Sequence, residues 1–158
     1  MKTLILYATK HGAAAEIAKR MAHKLDDAVM HDLKNHAVPD FADFECVIVG
    51  ASIYAGSIRK EAKEYISQNA DALSKKRLGL FISGMSKSMT DEQFNECFPG
   101  GLTSSAKAVS ILGGIFDPKK ANFFEKLIMK MVTKQSGYVD TIDDAKIDEF
   151  LGAMAAEE

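Results

Sequence analysis

A single stretch near the amino terminus decides the fold of this chain: Thr3-Leu4-Ile5-Leu6-Tyr7-Ala8-Thr9-Lys10-His11-Gly12-Ala13-Ala14-Ala15-Glu16-Ile17-Ala18. The run from Leu4 to Ala8 is apolar throughout, which is typical of a central parallel strand covered on both faces. Ile17 and Met21 then recur at helical spacing, so a helix begins just after Gly12. The first N–H groups of a helix lack partners and carry partial positive charge. The stretch predicts a strand, a phosphate-binding loop and a helix, and the alternative is an ordinary turn in which Gly12 only makes the bend.

The composition indicates one domain and argues against several classes of protein. The chain has 158 residues, of which 47% are hydrophobic, with 20 Lys and Arg against 22 Asp and Glu. This length suits a single domain over residues 1–158, and the net charge of −2 gives no reason to expect a nucleic-acid partner. We identify neither a transmembrane segment nor a signal peptide. Cys46 and Cys97 fit no metal or redox spacing, and we expect a cytoplasmic protein.

Apolar runs and helical patterns alternate along the rest of the chain. The capping-box spacing of Thr90 and Gln93 marks the start of one helix. Strands that alternate with helices pair in parallel through right-handed crossovers. The prediction is an α/β fold, a three-layer α/β/α sandwich with a five-stranded parallel sheet of order 2-1-3-4-5 and a helical insertion after the fifth strand. We place strands at residues 4–8, 28–33, 45–50, 77–84 and 109–114, and the later helices at 59–73, from Thr90, at 123–134 and at 141–154.

Loops of small residues follow the first, third and fourth predicted strands. In a doubly wound sheet of this order, ligands bind at the carboxyl ends of the first and third strands. The three loops are therefore expected at one edge of the sheet. They comprise residues 9–14, 51–57 and 83–88.

The first loop resembles the phosphate loop of the flavodoxin family, and the resemblance covers essentially the whole chain. The family pattern is Ser/Thr-x-Thr-Gly-x-Thr, and it stands here as Thr9-Lys10-His11-Gly12-Ala13-Ala14. Thr9 and Gly12 are kept, whereas Ala14 stands where the family has its last hydroxyl. The resemblance implies a flavodoxin-like fold and FMN as cofactor. The lost hydroxyl implies weaker binding than in a typical flavodoxin, because each missing hydrogen bond to the charged phosphate costs about 1 to 3 kcal/mol.

The other two loops also resemble family loops that contact the flavin. In the family, the loop after the third strand places an aromatic ring on the flavin, and the resemblance assigns that role to Tyr54. Gly56 would let the adjoining peptide change orientation, because glycine crosses to positive φ at little cost. A core aromatic at a strand end is the alternative for Tyr54. The cofactor-binding residues implied for these two loops are Ser52, Ile53, Tyr54, Ala55 and Gly56, and Ser83, Gly84, Met85 and Ser86.

Several segments are similar to the protoporphyrinogen dehydrogenase branch of the flavodoxins, including residues 1–6, 49–53 and 126–131. That branch is longer and more basic between the fourth and fifth strands, whereas residues 86–107 here include Asp91, Glu92 and Glu96. The function expected is FMN-binding electron transfer. The alternatives are a flavin-dependent dehydrogenase of the protoporphyrinogen oxidase type and a binding module with weakened FMN affinity. We predict no catalytic acid, base or nucleophile and no metal site.

The predicted helix 123–134 carries both lysines and apolar residues, with Lys119 and Lys120 just before it. We interpret it as packed on its own sheet with the lysines facing water. The alternative is that the basic segment 119–134 contacts a membrane surface peripherally or a redox partner. The implied electron-exchange partner is a protein or a quinone. The sequence gives no oligomeric state.

Overall fold

A five-stranded parallel sheet forms the centre of the protein in the computed structural model, which describes residues 1–134 and 136–157. The strands lie in the order β2-β1-β3-β5-β6, which is the predicted 2-1-3-4-5 order with an extra short strand, β4, paired antiparallel to β3. Their bounds are β1 Thr3–Ala8, β2 Ala28–Asp32, β3 Cys46–Tyr54, β4 Ser57–Ile58, β5 Arg77–Ser83 and β6 Ala108–Ile111.

Six α-helices, a short 3-10 helix at Phe41–Asp43 and a small antiparallel ribbon complete the elements that the structure describes in residues 1–134 and 136–157. The ribbon pairs β7 with β8, and its two strands flank helix α5 in the chain. We call residues 115–140, which contain these three elements, the insertion. Among the described residues, no helix is long and apolar enough to cross a bilayer. The bounds are α1 Ala13–His23, α2 Lys60–Leu73, α3 Asp91–Cys97, α4 Leu102–Ser105, β7 Ile115–Phe116, α5 Phe123–Thr133, β8 Val139–Asp140 and α6 Asp144–Ala155.

Alternate side chains of the central strands pack into two separate cores. Leu4 and Leu6 of β1 join a cluster with Ile66 of α2, whereas Ile5 joins a cluster with Ile17 of α1 and Phe150 of α6. Each of these six side chains is at most 3% exposed. This two-sided burial explains why the strands are apolar throughout, because a parallel sheet covered on both faces has no solvated side.

Three element boundaries differ from the sequence prediction by three residues or more. β3 continues to Tyr54 instead of ending at Gly50, because Ala51 and Ser52 still pair with β5. β6 ends at Ile111, and the chain then turns at Gly113 with φ of 88°. α6 begins at Asp144, because the side chain of Asp143 accepts a hydrogen bond from the Lys146 N–H and caps the helix.

The interpretation of helix 123–134 as a core helix is wrong. In α5, Phe123 is 81% exposed and Met131 is 74% exposed, whereas Met129 is buried. Both faces of the main sheet are already covered, by α2 and α3 on one side and by α1 and α6 on the other. The amphipathic pattern of α5 therefore has no sheet surface left to bury it. The apolar face of α5 comprises Phe123, Phe124, Leu127, Ile128 and Met131, all exposed.

Gly50 makes room for an aromatic ring in the second core. A Cβ atom built on Gly50 would lie 2.0 Å from the ring of Phe81, the neighbouring residue on β5. Phe81 is fully buried, so its ring has no free direction in which to move. We expect Gly50→Ala to lower the free energy of unfolding by about 1 to 3 kcal/mol, measured by urea denaturation.

The matched control is Gly152→Ala in α6, where an added Cβ meets nothing within 4 Å. Because alanine favours a helix over glycine, this substitution should raise stability by up to about 1 kcal/mol. Equal effects of the two substitutions would contradict the packing argument.

Candidate functional site

The loop between β1 and α1 leads into three backbone N–H groups for which the described part of the chain provides no acceptor. Gly12 caps α1 in a left-handed conformation with φ of 100°, which favours glycine. Its N–H donates to Oγ1 of Thr9 at 2.9 Å, and its carbonyl accepts the first helical hydrogen bond, from Glu16. Within the described residues, no acceptor is recorded for the N–H groups of residues 13–15. These donors point out of the positive end of a helix, so they suit an anion.

Ala14, where the family pattern has its last hydroxyl, is fully buried. It packs in the core cluster that contains Ile5 and Ile17, and Ala13 beside it is also buried. The residue therefore offers the loop only its backbone.

Tyr54 lies at the end of a tight hairpin and is 45% exposed, so its alternative interpretation as a core aromatic is wrong. It pairs with Ser57 across a two-residue turn of Ala55 and Gly56, both with positive φ, 50° and 78°. Two positive φ angles are typical of the turns that join twisted antiparallel strands. The hairpin thus holds an aromatic side chain out from the carboxyl end of β3.

The loop after β5 packs against the same hairpin. A Cβ atom on Gly84 would lie 2.6 Å from Cγ2 of Ile53, so the absence of a side chain lets the two segments approach. The N–H of Gly84 donates to the carbonyl of Gly113 at 3.0 Å. Ser83 pairs with Ser52 inside the sheet and is buried, whereas Met85 is half-buried and Ser86 is exposed. Of the predicted residues 83–86, Ser83 therefore belongs to β5, and residues 84–86 form the loop after it.

Lys10 connects the first loop to the hairpin. Its Nζ lies 4.7 Å from the centroid of the Tyr54 ring, a distance typical of a cation–π contact. The hairpin in turn contacts the loop after β5 through Ile53 and Gly84. The structure thus brings all three predicted segments to one edge of the sheet, with one face of the Tyr54 ring next to a positive charge.

Glu125 is a site residue that the sequence analysis missed. Its carboxylate accepts hydrogen bonds from Nζ of Lys10 and, at 2.8 Å, from Nε2 of His11. Asn122 fixes the start of α5, because its side chain accepts a hydrogen bond from the Glu125 N–H at 2.8 Å. The spacing of Asn122 and Glu125 is that of a helix cap and was the available signal.

Glu125 remains ionised at neutral pH. Burial of its side chain, which is 10% exposed, acts to raise the pKa of the carboxyl group. Hydrogen bonds from Lys10 and His11 outweigh burial and hold the pKa below its ordinary value. A negative charge from the insertion therefore lies directly beside the loop.

A cavity of about 360 Å³ opens beside Gly12, between α1 and the insertion. Charged groups of both signs surround it, and Lys120 of the insertion brings its Nζ within 3.9 Å of where a Cβ of Gly12 would lie. Arg20 in its wall pairs with Glu16 and with two aspartates. Tyr54 is not among the lining residues, which are His11, Gly12, Glu16, Arg20, Ile115, Asp117, Lys120, Tyr138 and Asp140.

Cys46 and Cys97 are free thiols in the interior. Burial raises the pKa of both, which keeps them protonated at neutral pH. Neither thiol is therefore set up as a nucleophile.

Comparison with known proteins agrees with this geometry. The flavodoxin domain model matches residues 4–142. The chain is 24% identical over 147 residues to protoporphyrinogen IX dehydrogenase (quinone) of Escherichia coli K12. The aligned region covers 87% of this chain and 81% of the relative.

Solved structures share the fold at lower identity. Rubredoxin oxygen:oxidoreductase of Desulfovibrio gigas has a TM-score of 0.54 at 16% identity, over 98% of this chain, and this chain spans 37% of that one. A short-chain flavodoxin associated with a PDU bacterial microcompartment has a TM-score of 0.53 at 21% identity, over 72% of this chain and 84% of that one. With the family model matched over most of its length, the chain belongs to the flavodoxin domain family.

Proposed function

We propose that this protein is a flavodoxin-like electron-transfer protein that binds one FMN noncovalently. The observation that carries the proposal is that a loop whose N–H groups at residues 13–15 find no acceptor among the described residues contacts, through Lys10, a hairpin that exposes Tyr54. FMN has a phosphate group at one end and a flat ring system at the other, and these two features suit those two chemistries. When bound, the flavin would supply the electron transfer, and the protein would position it and tune its surroundings.

Each of the three segments would hold a different part of the cofactor. The N–H groups of residues 13–15 would hold the phosphate, supported by the turn that Thr9 and Gly12 close. Tyr54 would cover one face of the ring system, since Lys10 occupies only one side of the tyrosine. Gly84 and Met85 would approach the polar edge of the rings. Gly56, whose missing Cβ would meet nothing within 4 Å, leaves the hairpin tip free to adjust.

Removal of the Tyr54 ring should weaken FMN binding without unfolding the protein, because the side chain is 45% exposed. We expect Tyr54→Ala to weaken binding about threefold to tenfold, the range typical of aromatic stacking, and Tyr54→Phe to retain it. Isothermal titration calorimetry with FMN, supported by the visible spectrum, measures the effect. Failure of the wild-type protein to bind FMN would refute the proposed function, and unchanged binding by Tyr54→Ala would remove the tyrosine from it.

We further propose that the basic segment 119–134 contacts an anionic membrane surface. The apolar face of α5 is exposed, and exposed apolar side chains on a helix suit shallow insertion between lipid headgroups. Glu125, the acidic residue of this segment, is engaged by Lys10 and His11, so the lysines dominate the charge that the segment presents. Lysines near an anionic surface contribute about 1 kcal/mol each. These lysines are Lys119, Lys120, Lys126, Lys130 and Lys134.

Sedimentation with phosphatidylglycerol vesicles tests this contact. The double variant Phe123→Ser and Met131→Ser should bind about tenfold more weakly than wild type, because two exposed apolar side chains would no longer enter the lipid. The control, Val29→Thr, changes an exposed apolar residue on β2 and should bind as wild type does. Equal loss in both variants, or equal binding to phosphatidylcholine vesicles, would contradict the proposal.

A flavin-dependent dehydrogenase that passes electrons to a quinone is the second candidate function. The exposed apolar face of α5 favours it, because quinones reside in the membrane. The E. coli relative bears the name of such an enzyme. Turnover of protoporphyrinogen IX with menaquinone as acceptor would establish this function, and FMN binding without turnover would leave electron transfer to a partner protein. The free thiols of Cys46 and Cys97 support a cytoplasmic location as part of the proposal.

A further inference from the structure

The insertion supplies an anion to the loop that is proposed to bind one. Glu125 accepts hydrogen bonds from both Lys10 and His11, the two residues that precede Gly12. Lys10 and His11 are the loop side chains with N–H groups that can donate to a phosphate. The carboxylate therefore occupies the donors that an incoming phosphate would otherwise use.

Further contacts hold the carboxylate of Glu125 in its position beside Lys10 and His11. Glu125 is 10% exposed, so little water screens its charge. Its backbone N–H is held by Asn122 at 2.8 Å, and the Asn122 amide also donates to Oε1 of Glu125 at 3.3 Å. The carboxylate is thus fixed at the first turn of α5 and faces the loop from outside the sheet.

We propose that Glu125 is an internal anion that competes with the phosphate of FMN for Lys10 and His11. The inference rests on the proposed function, because it concerns the same loop and the same ligand. Phosphate binding at the N–H groups of residues 13–15 places two negative charges near the carboxylate. Since like charges repel and both anions use the same donors, bound phosphate displaces the carboxylate from its partners, and this displacement lowers the affinity for FMN.

The competition has two consequences. It weakens binding of FMN but not of riboflavin, which has the same ring system without the phosphate. It also links the ligand to α5, because release of Glu125 from the loop removes polar contacts that hold the first turn of the helix.

Calorimetric titration of FMN and riboflavin into wild type and Glu125→Gln tests the competition. The glutamine keeps the size of the side chain and removes its charge. We expect Glu125→Gln to bind FMN about tenfold more tightly than wild type, with riboflavin affinity unchanged.

Glu64→Gln is the matched control. Glu64 is also a carboxylate on a helix, but it lies in α2, pairs with Lys60 and has a side chain that is 59% exposed. Its substitution should change FMN affinity by less than about twofold, because an exposed charge is screened. Equal gains in FMN affinity in the two variants would show that the effect comes from the net charge of the protein, and they would overturn the proposal.

The outcomes separate this inference from the proposed function. If FMN binds no better than riboflavin to both wild type and Glu125→Gln, the phosphate site itself is refuted. If wild type prefers FMN but Glu125→Gln binds it equally well or more weakly, Glu125 orients Lys10 and His11 for the phosphate, and the competition alone is refuted.

Hydrogen exchange of the wild-type protein gives a second measurement that needs no variant. FMN should increase amide exchange in peptides covering residues 123–133, because the first turn of α5 loses its contacts with the loop. Riboflavin should leave exchange there unchanged. Unchanged or slower exchange with FMN would overturn the proposal.

Discussion

The left-handed turn at Gly12 is the constraint on which the site depends. Its φ of 100° directs its own N–H back to Thr9 and starts α1 at the next residue, so the following N–H groups face outward. A residue with a Cβ atom would be strained in this conformation. The turn is also held from behind, because β1 pairs with β2 on one side and with β3 on the other. A central strand thus fixes the position of the helix end, and the helix end fixes the direction of the donors.

The fold could be predicted wherever a local pattern had one physical explanation. The apolar runs of β1 and β5 required cover on both faces, and the capping box at Thr90 and Gln93 formed with both of its hydrogen bonds. The extent of β3 could not be predicted in this way, because Ala51 and Ser52 are small residues that suit either a loop or a strand. Their pairing partners in β5, distant in sequence, decided the matter.

In the candidate site too, some features could be predicted from the sequence and others depend on contacts between distant residues. The three loops follow strands of known order, so their meeting at one edge was predictable from topology. Gly12 lies at the start of α1, and Tyr54 lies at the end of β3. The partner of Lys10 was not predictable, since Glu125 is 115 positions away in an insertion outside the regular fold. Loops with hydroxyl side chains need no neutralisation, whereas a loop carrying Lys10 and His11 brings charge that a partly buried site must balance. The departure from the family pattern in one segment is therefore matched by a carboxylate in another.

Because Glu125 lies in α5, one helix both contacts the loop and exposes apolar side chains. The helix that presents exposed Phe123 and Met131 to its surroundings also carries, at its first turn, the carboxylate bound to the loop. A helical turn is rigid once capped, so a movement that seats the apolar face elsewhere must also move the carboxylate. An anion that displaces the carboxylate and a surface that binds the apolar face are linked through the position of α5. If both favour the same displaced position of the helix, each raises the affinity for the other. If they favour different positions, each lowers it. The insertion would thus couple the charge of the loop to whatever contacts the apolar face of α5.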